Sequence, residues 1–139
     1  MDEATISDRI EISDLLTRYA DAVDRRQWDQ WKTVFTDDAE LDYTSAPGGK
    51  AGGRDDMAAW LAECMDLFAM SQHLIANEDV RIDGDTATVR AMFYNPMRFK
   101  DGTMFFCGGW YNHELVRTDQ GWKSRRLIEE TAWTDGFPS

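Results

Sequence analysis

The sequence has few cysteines, few basic residues and no long apolar run, and each shortage excludes a class of protein. Its 139 residues include only Cys64 and Cys107, too far apart for a CxxC zinc site and too few for a disulfide framework. Fifteen Lys and Arg stand against 26 Asp and Glu, a formal net charge of −11. This balance argues against nucleic acid or an anionic membrane surface as a partner. We expect two reduced thiols.

No stretch approaches the roughly 18 consecutive apolar residues that span a bilayer. Residues 1–14 also lack the basic and then apolar order of a secretory signal peptide. Hydrophobic residues nevertheless make up 42% of the chain, including six Trp and seven Phe, which is enough apolar material to fold. A chain of this length supports a single core. We therefore predict one cytoplasmic domain over residues 1–139, without a membrane partner.

Apolar residues recur at helical spacing in three stretches of the chain. They predict helices over residues 5–23, 27–35 and 54–68. Between the second and third helix, alternating residues predict a short strand at 39–45. The Gly-rich segment 45–53 is typical of turns and is interpreted as a mobile flap, a candidate lid.

The remainder of the chain predicts a meander of strands at 71–82, 86–99, 103–117 and 122–133, separated by Gly-containing turns. Three helices that close one side of a curved mixed or antiparallel sheet define a cone-shaped α+β domain. Such a cone holds a pocket for an apolar ligand. Some strands are apolar on both faces, so we also expect a homo-oligomer in which a second copy covers the outer face. Residues 134–139 are expected to form a tail.

The sequence contains two histidines that could act as general bases, His73 and His113. His73 stands among apolar neighbours and is expected to face inward, whereas His113 has polar neighbours and is expected on the surface. Asp24 ends the first helix beside its apolar stripe, so it either points inward or caps the helix. If Asp24 meets His73, the carboxylate would fix the tautomer of the imidazole and stabilise its protonated form.

Other polar residues could serve the same pocket. The phenols of Tyr19 and Tyr43 are possible hydrogen-bond donors to a ligand oxygen. Strict alternation along the last strand turns either Arg125 or Arg126 inward. The chain lacks GxSxG, HExxH, P-loop and GxGxxG motifs, and the acidic run 37–43 lacks the spacing of an EF-hand. We therefore expect no metal.

The order of these motifs resembles a known family. It is similar to the SnoaL-like group of the NTF2-like superfamily, and the similarity covers almost the whole chain. The segments that carry it are, in order, LLTRYADAVDRRQWDQWKTVFTDDAELDY, a Gly-rich flap, a helix, SQHLIAN and GWKSRRL. The nearest patterns are those of scytalone dehydratase, the bile-acid 7α-dehydratases and hexachlorocyclohexane dehydrochlorinase, which are eliminating enzymes without a cofactor. The resemblance implies a dyad of Asp24 and His73, with Tyr19, Tyr43 and Arg126 as further site residues.

Three differences between this sequence and the patterns of those enzymes limit the reactions that we expect. Pro96 stands where scytalone dehydratase has a second active-site histidine, which disfavours scytalone itself as substrate. Tyr19 stands where the dehydrochlorinase has lysine, so loss of water is favoured over loss of halide. The catalytic carboxylate that ketosteroid isomerases carry on the sheet has no convincing counterpart.

The sequence thus predicts a cofactor-independent lyase of the dehydratase type that acts on a small hydrophobic cyclic molecule, such as a steroid, polyketide or aromatic-like compound. The alternatives to a lyase are an isomerase like ketosteroid isomerase, a polyketide cyclase-like enzyme, and a non-catalytic small-molecule-binding or accessory subunit. The oligomer would be a dimer or a trimer. The residues expected to shape the pocket are Trp28, Trp60, Met70, Phe93, Phe106 and Trp110.

Overall fold

The computed structural model describes residues 1–137. In chain order the elements are α1 (Glu3–Asp24), α2 (Trp28–Lys32), β1 (Phe35–Asp42), β2 (Ala51–Gly53), α3 (Arg54–Met65), β3 (Phe68–Ser71), β4 (Leu74–Asp83), β5 (Thr86–Phe99), β6 (Met104–Thr118) and β7 (Gly121–Asp135). Within this part of the chain, no helix is long and apolar enough to cross a membrane.

All seven strands form one sheet in the order β2-β1-β7-β6-β5-β3, and β4 also pairs with β5. The β1–β7 pair is parallel and the other pairs are antiparallel, so the sheet is mixed. The sheet is strongly curled, and the three helices pack against it. The predicted α+β cone is confirmed.

The first helix supplies much of the core. It begins two residues earlier than predicted because the Asp2 carboxylate accepts a hydrogen bond from the Thr5 backbone N–H at 2.8 Å and caps the helix. Its buried stripe includes Ile12, Leu16 and Tyr19. The helix ends at Asp24, and Arg26 follows in the left-handed region with φ of 59°. This turn leaves the Asp24 side chain at the inner end of α1.

The strand predicted over 71–82 is two strands, β3 and β4. Ser71 at the end of β3 pairs with Met97, whereas Leu74 at the start of β4 pairs with Tyr94. The two residues between them belong to neither strand, and one of them is His73. Because His73 lies outside both strands, its backbone N–H is free to bond to the Asp24 carboxylate, at 2.8 Å.

The segment predicted as a flap contains β2, which pairs with β1, and turns over residues 44–49. Its start is tied to β7. The Ser45 hydroxyl donates to the Glu129 carbonyl at 2.8 Å and accepts from the Thr131 backbone N–H at 2.9 Å. These bonds to backbone groups tie the start of the segment to the edge of the last strand.

The last strand departs from strict alternation. Opposite β6, Leu115 pairs with Ser124 and Glu114 with Arg126, so Arg125 is an extra residue in the ladder, a β-bulge. Ser124 and Leu127 are both buried, and the two arginines between them are both exposed. Before the bulge, the even-numbered residues of β7 therefore point inward, and after the bulge the odd-numbered residues do.

Large apolar side chains on the outer face of the sheet are exposed to solvent. Tyr94 is 46% exposed and Trp133 is 44% exposed, and their rings contact each other. Phe106 lies against Tyr94 on the same face. This surface is the one for which the sequence predicts a covering copy of the chain.

Candidate functional site

The end of α1 positions a carboxylate with several hydrogen-bond donors. The Asp24 Oδ1 atom lies 2.7 Å from His73 Nδ1 and accepts from the Ser71 hydroxyl at 2.9 Å. Its Oδ2 atom accepts from the His73 backbone N–H at 2.8 Å. Burial acts to raise the pKa of Asp24, but the bonds from His73 and Ser71 outweigh burial and leave the pKa below its usual range. Asp24 is therefore an ionised acceptor at neutral pH.

This carboxylate determines how the neutral imidazole carries its proton. An ionised carboxylate can only accept, so His73 donates through Nδ1, and the lone pair remains on Nε2. The His73 side chain is 7% exposed and lines the central cavity of the domain. A histidine in this state can remove a proton from a bound molecule, and Asp24 then stabilises the resulting imidazolium.

Arg26 supports the pair from outside the cavity. Its Nη1 atom donates to the Ser71 hydroxyl at 2.9 Å and to the Val23 carbonyl at 2.8 Å. With its hydroxyl oxygen occupied by Arg26, Ser71 directs its own proton to Asp24. Neither Ser71 nor Arg26 was identified from the sequence, because their connection depends on the left-handed turn after α1 and on the position of β3.

The cavity itself has a volume of about 140 Å³ and a mostly apolar lining. Tyr19 and Tyr43 both line it, and their hydroxyls are hydrogen-bonded to each other at 2.5 Å. Burial raises the pKa of both phenols, so both are neutral proton donors at physiological pH. Trp60 lines the same cavity and packs on Tyr43.

Two further polar side chains face the cavity and were not selected from the sequence. Asn95 is buried, and within residues 1–137 its Oδ1 atom has no hydrogen-bond partner, while its Nδ2 donates to the Tyr111 hydroxyl at 3.3 Å. Glu129 accepts a hydrogen bond from the Thr131 hydroxyl at 3.0 Å. Burial, opposed only partly by that bond, raises the pKa of Glu129 to about 7.

The bulge explains why Glu129 was missed. Strict alternation groups Glu129 with Lys123 and Arg125, and it could not decide whether that face or the face of Arg126 is the inner one. The extra residue at Arg125 reverses the faces, so that Leu127, Glu129 and Thr131 follow Ser124 on the inner face.

The same bulge corrects the expectation for Arg126. Its side chain is exposed and borders grooves on the outside of the domain, not the cavity. Arg125 is also exposed and lies 3.6 Å from Glu114. The structure therefore brings neither arginine to His73.

Of the six residues expected to shape the pocket, only Trp60 lies in the cavity wall. Trp28 and Met70 border a separate groove of about 470 Å³ that passes the outer side of Asp24 and Arg26. The other three expectations are corrected by strand parity and packing: Phe106 and Trp110 point to the outer face, and Phe93 is buried behind Tyr111, on which it stacks.

The expectation for His113 is wrong. Its side chain is buried, and its Nδ1 atom lies 2.8 Å from the Ser124 hydroxyl. Burial lowers the pKa of His113 to about 4, so this imidazole is neutral at physiological pH. Its polar sequence neighbours alternate to the other face of β6, which is why they gave a misleading signal.

A curled mixed sheet closed by three helices around an apolar cavity is the architecture of an NTF2-like domain. The chain belongs to the SnoaL-like domain family, whose profile matches residues 4–128. The resemblance inferred from the sequence is confirmed.

Relatives of known sequence or structure agree with this assignment. The chain is 42% identical over 128 residues to the uncharacterised protein Rv2910c of Mycobacterium tuberculosis H37Rv, covering 91% of this chain and 86% of that protein. It is 30% identical to a Novosphingobium aromaticivorans protein provisionally assigned as an aromatic ring hydroxylase, with a TM-score of 0.86 and coverage of 95% and 94%.

A second N. aromaticivorans protein, provisionally assigned as a scytalone dehydratase, is 21% identical to the chain with a TM-score of 0.88. That likeness covers 100% of this chain and 93% of the other, and it shows a shared fold. The family and these neighbours support an enzymatic or small-molecule-binding role of the NTF2-like type.

Proposed function

We propose that the protein is a cofactor-independent lyase of the dehydratase type, in which His73 removes a proton next to a carbonyl group of a hydrophobic cyclic substrate. The observation that carries this proposal is the 2.7 Å contact between Asp24 and His73 at the wall of an apolar cavity. A base oriented by a carboxylate contributes roughly 10²–10⁴-fold to proton transfer. The dehydratase assignment of a neighbour with the same fold is consistent with this chemistry.

The two tyrosines would stabilise the enolate. One hydrogen bond joins the hydroxyls of Tyr19 and Tyr43, and two hydroxyls carry two protons, so one proton remains free for a substrate oxygen. A donor of this kind, held in place before the reaction, stabilises the charge that develops on the carbonyl oxygen as the α-proton leaves. Both phenols keep their protons at neutral pH because burial raises their pKa values.

The cavity volume limits the substrate. About 140 Å³ is close to the roughly 150 Å³ of engineered apolar cavities that bind benzene. A single six-membered ring therefore fits beside His73, and further rings of a steroid or polyketide would have to extend past Pro47 and Phe137 at the cavity rim.

The proposal can be tested by exchange of the α-protons of cyclohexanone in D₂O, followed by proton NMR. The wild-type protein should accelerate exchange above the buffer rate, and His73→Gln should lose at least about a hundredfold of this acceleration. Glu130→Gln is a matched control, because Glu130 pairs with Arg90 away from the cavity. If His73→Gln unfolds the domain and the wild type accelerates no exchange, the dyad is structural and the protein is a binding or accessory subunit.

Isomerase and cyclase chemistry begin with the same enolate and are the alternative outcomes once exchange is established. They are separated from elimination by the products formed from a β-hydroxy ketone.

The homo-oligomer remains a prediction that light scattering coupled to size-exclusion chromatography would test. The cytoplasmic location and the independence from cofactors also remain predictions.

A further inference from the structure

The cavity contains an acid that the proposed proton abstraction does not use. Glu129 lies on β7, and its inward orientation results from the bulge at Arg125. The same cavity wall contains His73. Elimination of water needs a base for the C–H proton and also a proton for the departing oxygen, and a second group in the same cavity can supply that proton while the base holds the other.

We propose that the Glu129 carboxyl is the catalytic acid that protonates the departing hydroxyl of the substrate. This inference rests on the proposed function. It assigns the two proton transfers of the elimination to different residues, His73 as base and Glu129 as acid.

The surroundings of Glu129 favour its protonated form. No lysine or arginine is among the described residues that line the cavity, so no cation stabilises a carboxylate there. The Thr131 hydroxyl donates to Oε1, which leaves Oε2 to carry the proton. The titratable groups that share this cavity are Tyr19, Tyr43, Tyr111, Cys64, Cys107 and His73, and the charge of Asp42 at the end of β1 also acts on Glu129. His73 is the one base among them, and it holds a positive charge only after it has taken the α-proton.

Burial raises the pKa of Cys107 to about 12, and the charge of an ionised Glu129 adds to this effect. The thiol is therefore neutral and does not compete as a base. Asn95 Oδ1 is a buried acceptor that has no partner among residues 1–137 and faces the same cavity, so it can receive a hydrogen bond from a substrate hydroxyl. These polar atoms suit a ring that carries a hydroxyl in addition to its carbonyl group.

The step balances without an oxidant or reductant. His73 Nε2 takes the α-proton, and the C–H electron pair forms the carbon–carbon double bond. The bond from the β-carbon to the hydroxyl oxygen breaks, and Glu129 gives its proton to that oxygen, which releases water. His73 has then gained one proton and Glu129 has lost one, and transfer through solvent after product release restores both.

The test compares three probes that differ only in the leaving group. The probes are cyclohexanone for α-proton exchange, 3-hydroxycyclohexanone for dehydration to cyclohex-2-enone, and 3-chlorocyclohexanone, whose chloride leaves without protonation. In Glu129→Gln we expect exchange and chloride elimination within about threefold of the wild type, and dehydration reduced by about a hundredfold or more. His73→Gln should lose all three reactions. Absorbance of the enone and NMR of the ring protons supply the rates, corrected for the uncatalysed reactions.

Each outcome decides one of the two proposals. Dehydration that continues at the wild-type rate in Glu129→Gln, or equal loss of all three reactions in that variant, would overturn the role of Glu129 as acid while leaving His73 as base. A wild-type protein that exchanges cyclohexanone but does not dehydrate 3-hydroxycyclohexanone would also overturn it. If the wild type catalyses no exchange, the proposed function fails, and the inference fails with it.

An independent readout does not depend on turnover. The carbonyl stretch of a protonated carboxyl should be present in the infrared spectrum of the wild type near pH 6 and absent from that of Glu129→Gln. Glu130→Gln, the adjacent acid on the outer face, should retain the band. A wild-type spectrum without this band would show Glu129 ionised and would overturn its role as acid.

Discussion

The two histidines of this protein have similar burial but different partners. His73 contacts the carboxylate of Asp24 and lines the cavity. Within the described residues, the one hydrogen bond of the His113 side chain is to the hydroxyl of Ser124, and its Nε2 has no partner. A carboxylate stabilises an imidazolium, and a hydroxyl in an apolar core does not. The residue type therefore does not decide the role. The partner decides whether the imidazole can accept a proton.

The largest expected effect comes from giving His73 a neutral partner. Asp24→Asn keeps the shape of the side chain but removes the charge that fixes the Nδ1–H tautomer and stabilises the imidazolium. We expect α-proton exchange to fall by at least about a hundredfold. The ¹⁵N shifts of the His73 ring should show loss of the single tautomer. Retention of both exchange rate and tautomer would mean that Asp24 is not required to orient His73.

The second prediction concerns stability and uses the contrast between His113 and Glu129. The pKa of His113 is lowered from 6.5 to about 4, so its contribution to stability is present above pH 6.5 and is lost as pH falls through about 4. The pKa of Glu129 is raised from 4.5 to about 7, so its contribution is present below pH 4.5 and is lost as pH rises through about 7. Each is on the order of 3 kcal/mol, with opposite slopes.

Denaturant unfolding from pH 4 to 8 separates the two contributions. The free energy of unfolding of Glu129→Gln should rise with pH across this range relative to the wild type, because the opposing slope of Glu129 is gone. His113→Gln should show the reverse. Identical pH profiles for the wild type and both variants would mean that neither buried group is perturbed as described.

The smallest effect is expected from Ser71→Ala. This change removes one of the hydrogen bonds to Asp24 and separates Arg26 from the pair, but it leaves the contact between Asp24 and His73 intact. We expect exchange to fall by about tenfold, with the same His73 tautomer. Thr103→Ala is a matched control in the turn between β5 and β6, where the Thr103 backbone N–H bonds to Asp101, and it should leave the exchange rate unchanged.

Much of the fold follows from local pattern. The boundaries of β5 agree with the sequence because turn residues flank a long alternating run, and α1 is extended only by the Asp2 cap. The break between β3 and β4 was not visible, because residues 71–82 remain compatible with one continuous strand. Hydrophobic periodicity indicates which residues of a segment share a face. It does not indicate where the pairing of that segment with a neighbouring strand is interrupted.

The residues of the candidate site also divide into those that local sequence pattern indicated and those that it did not. The apolar environment of His73 and the position of Asp24 beside the apolar stripe of the first helix made them candidates, and Tyr19 and Tyr43 were candidates as phenolic donors. The family resemblance then implied that these four residues share one site. The family resemblance implied Arg126, and alternation left Arg125 as the other choice. The extra residue in β7 turns both arginines outward and Glu129 inward, which strict alternation could not show.

The sequence by itself determined the α+β class, the family and the residues able to form a base. Helical and strand periodicities are local properties, and the family motifs are local as well. The tertiary structure alone decided that Ser71 and Arg26 support Asp24, that His113 is buried, and that Glu129 faces the cavity. Those outcomes depend on how distant strands pair and where a bulge falls, and the energies that decide them arise only after the sheet has closed.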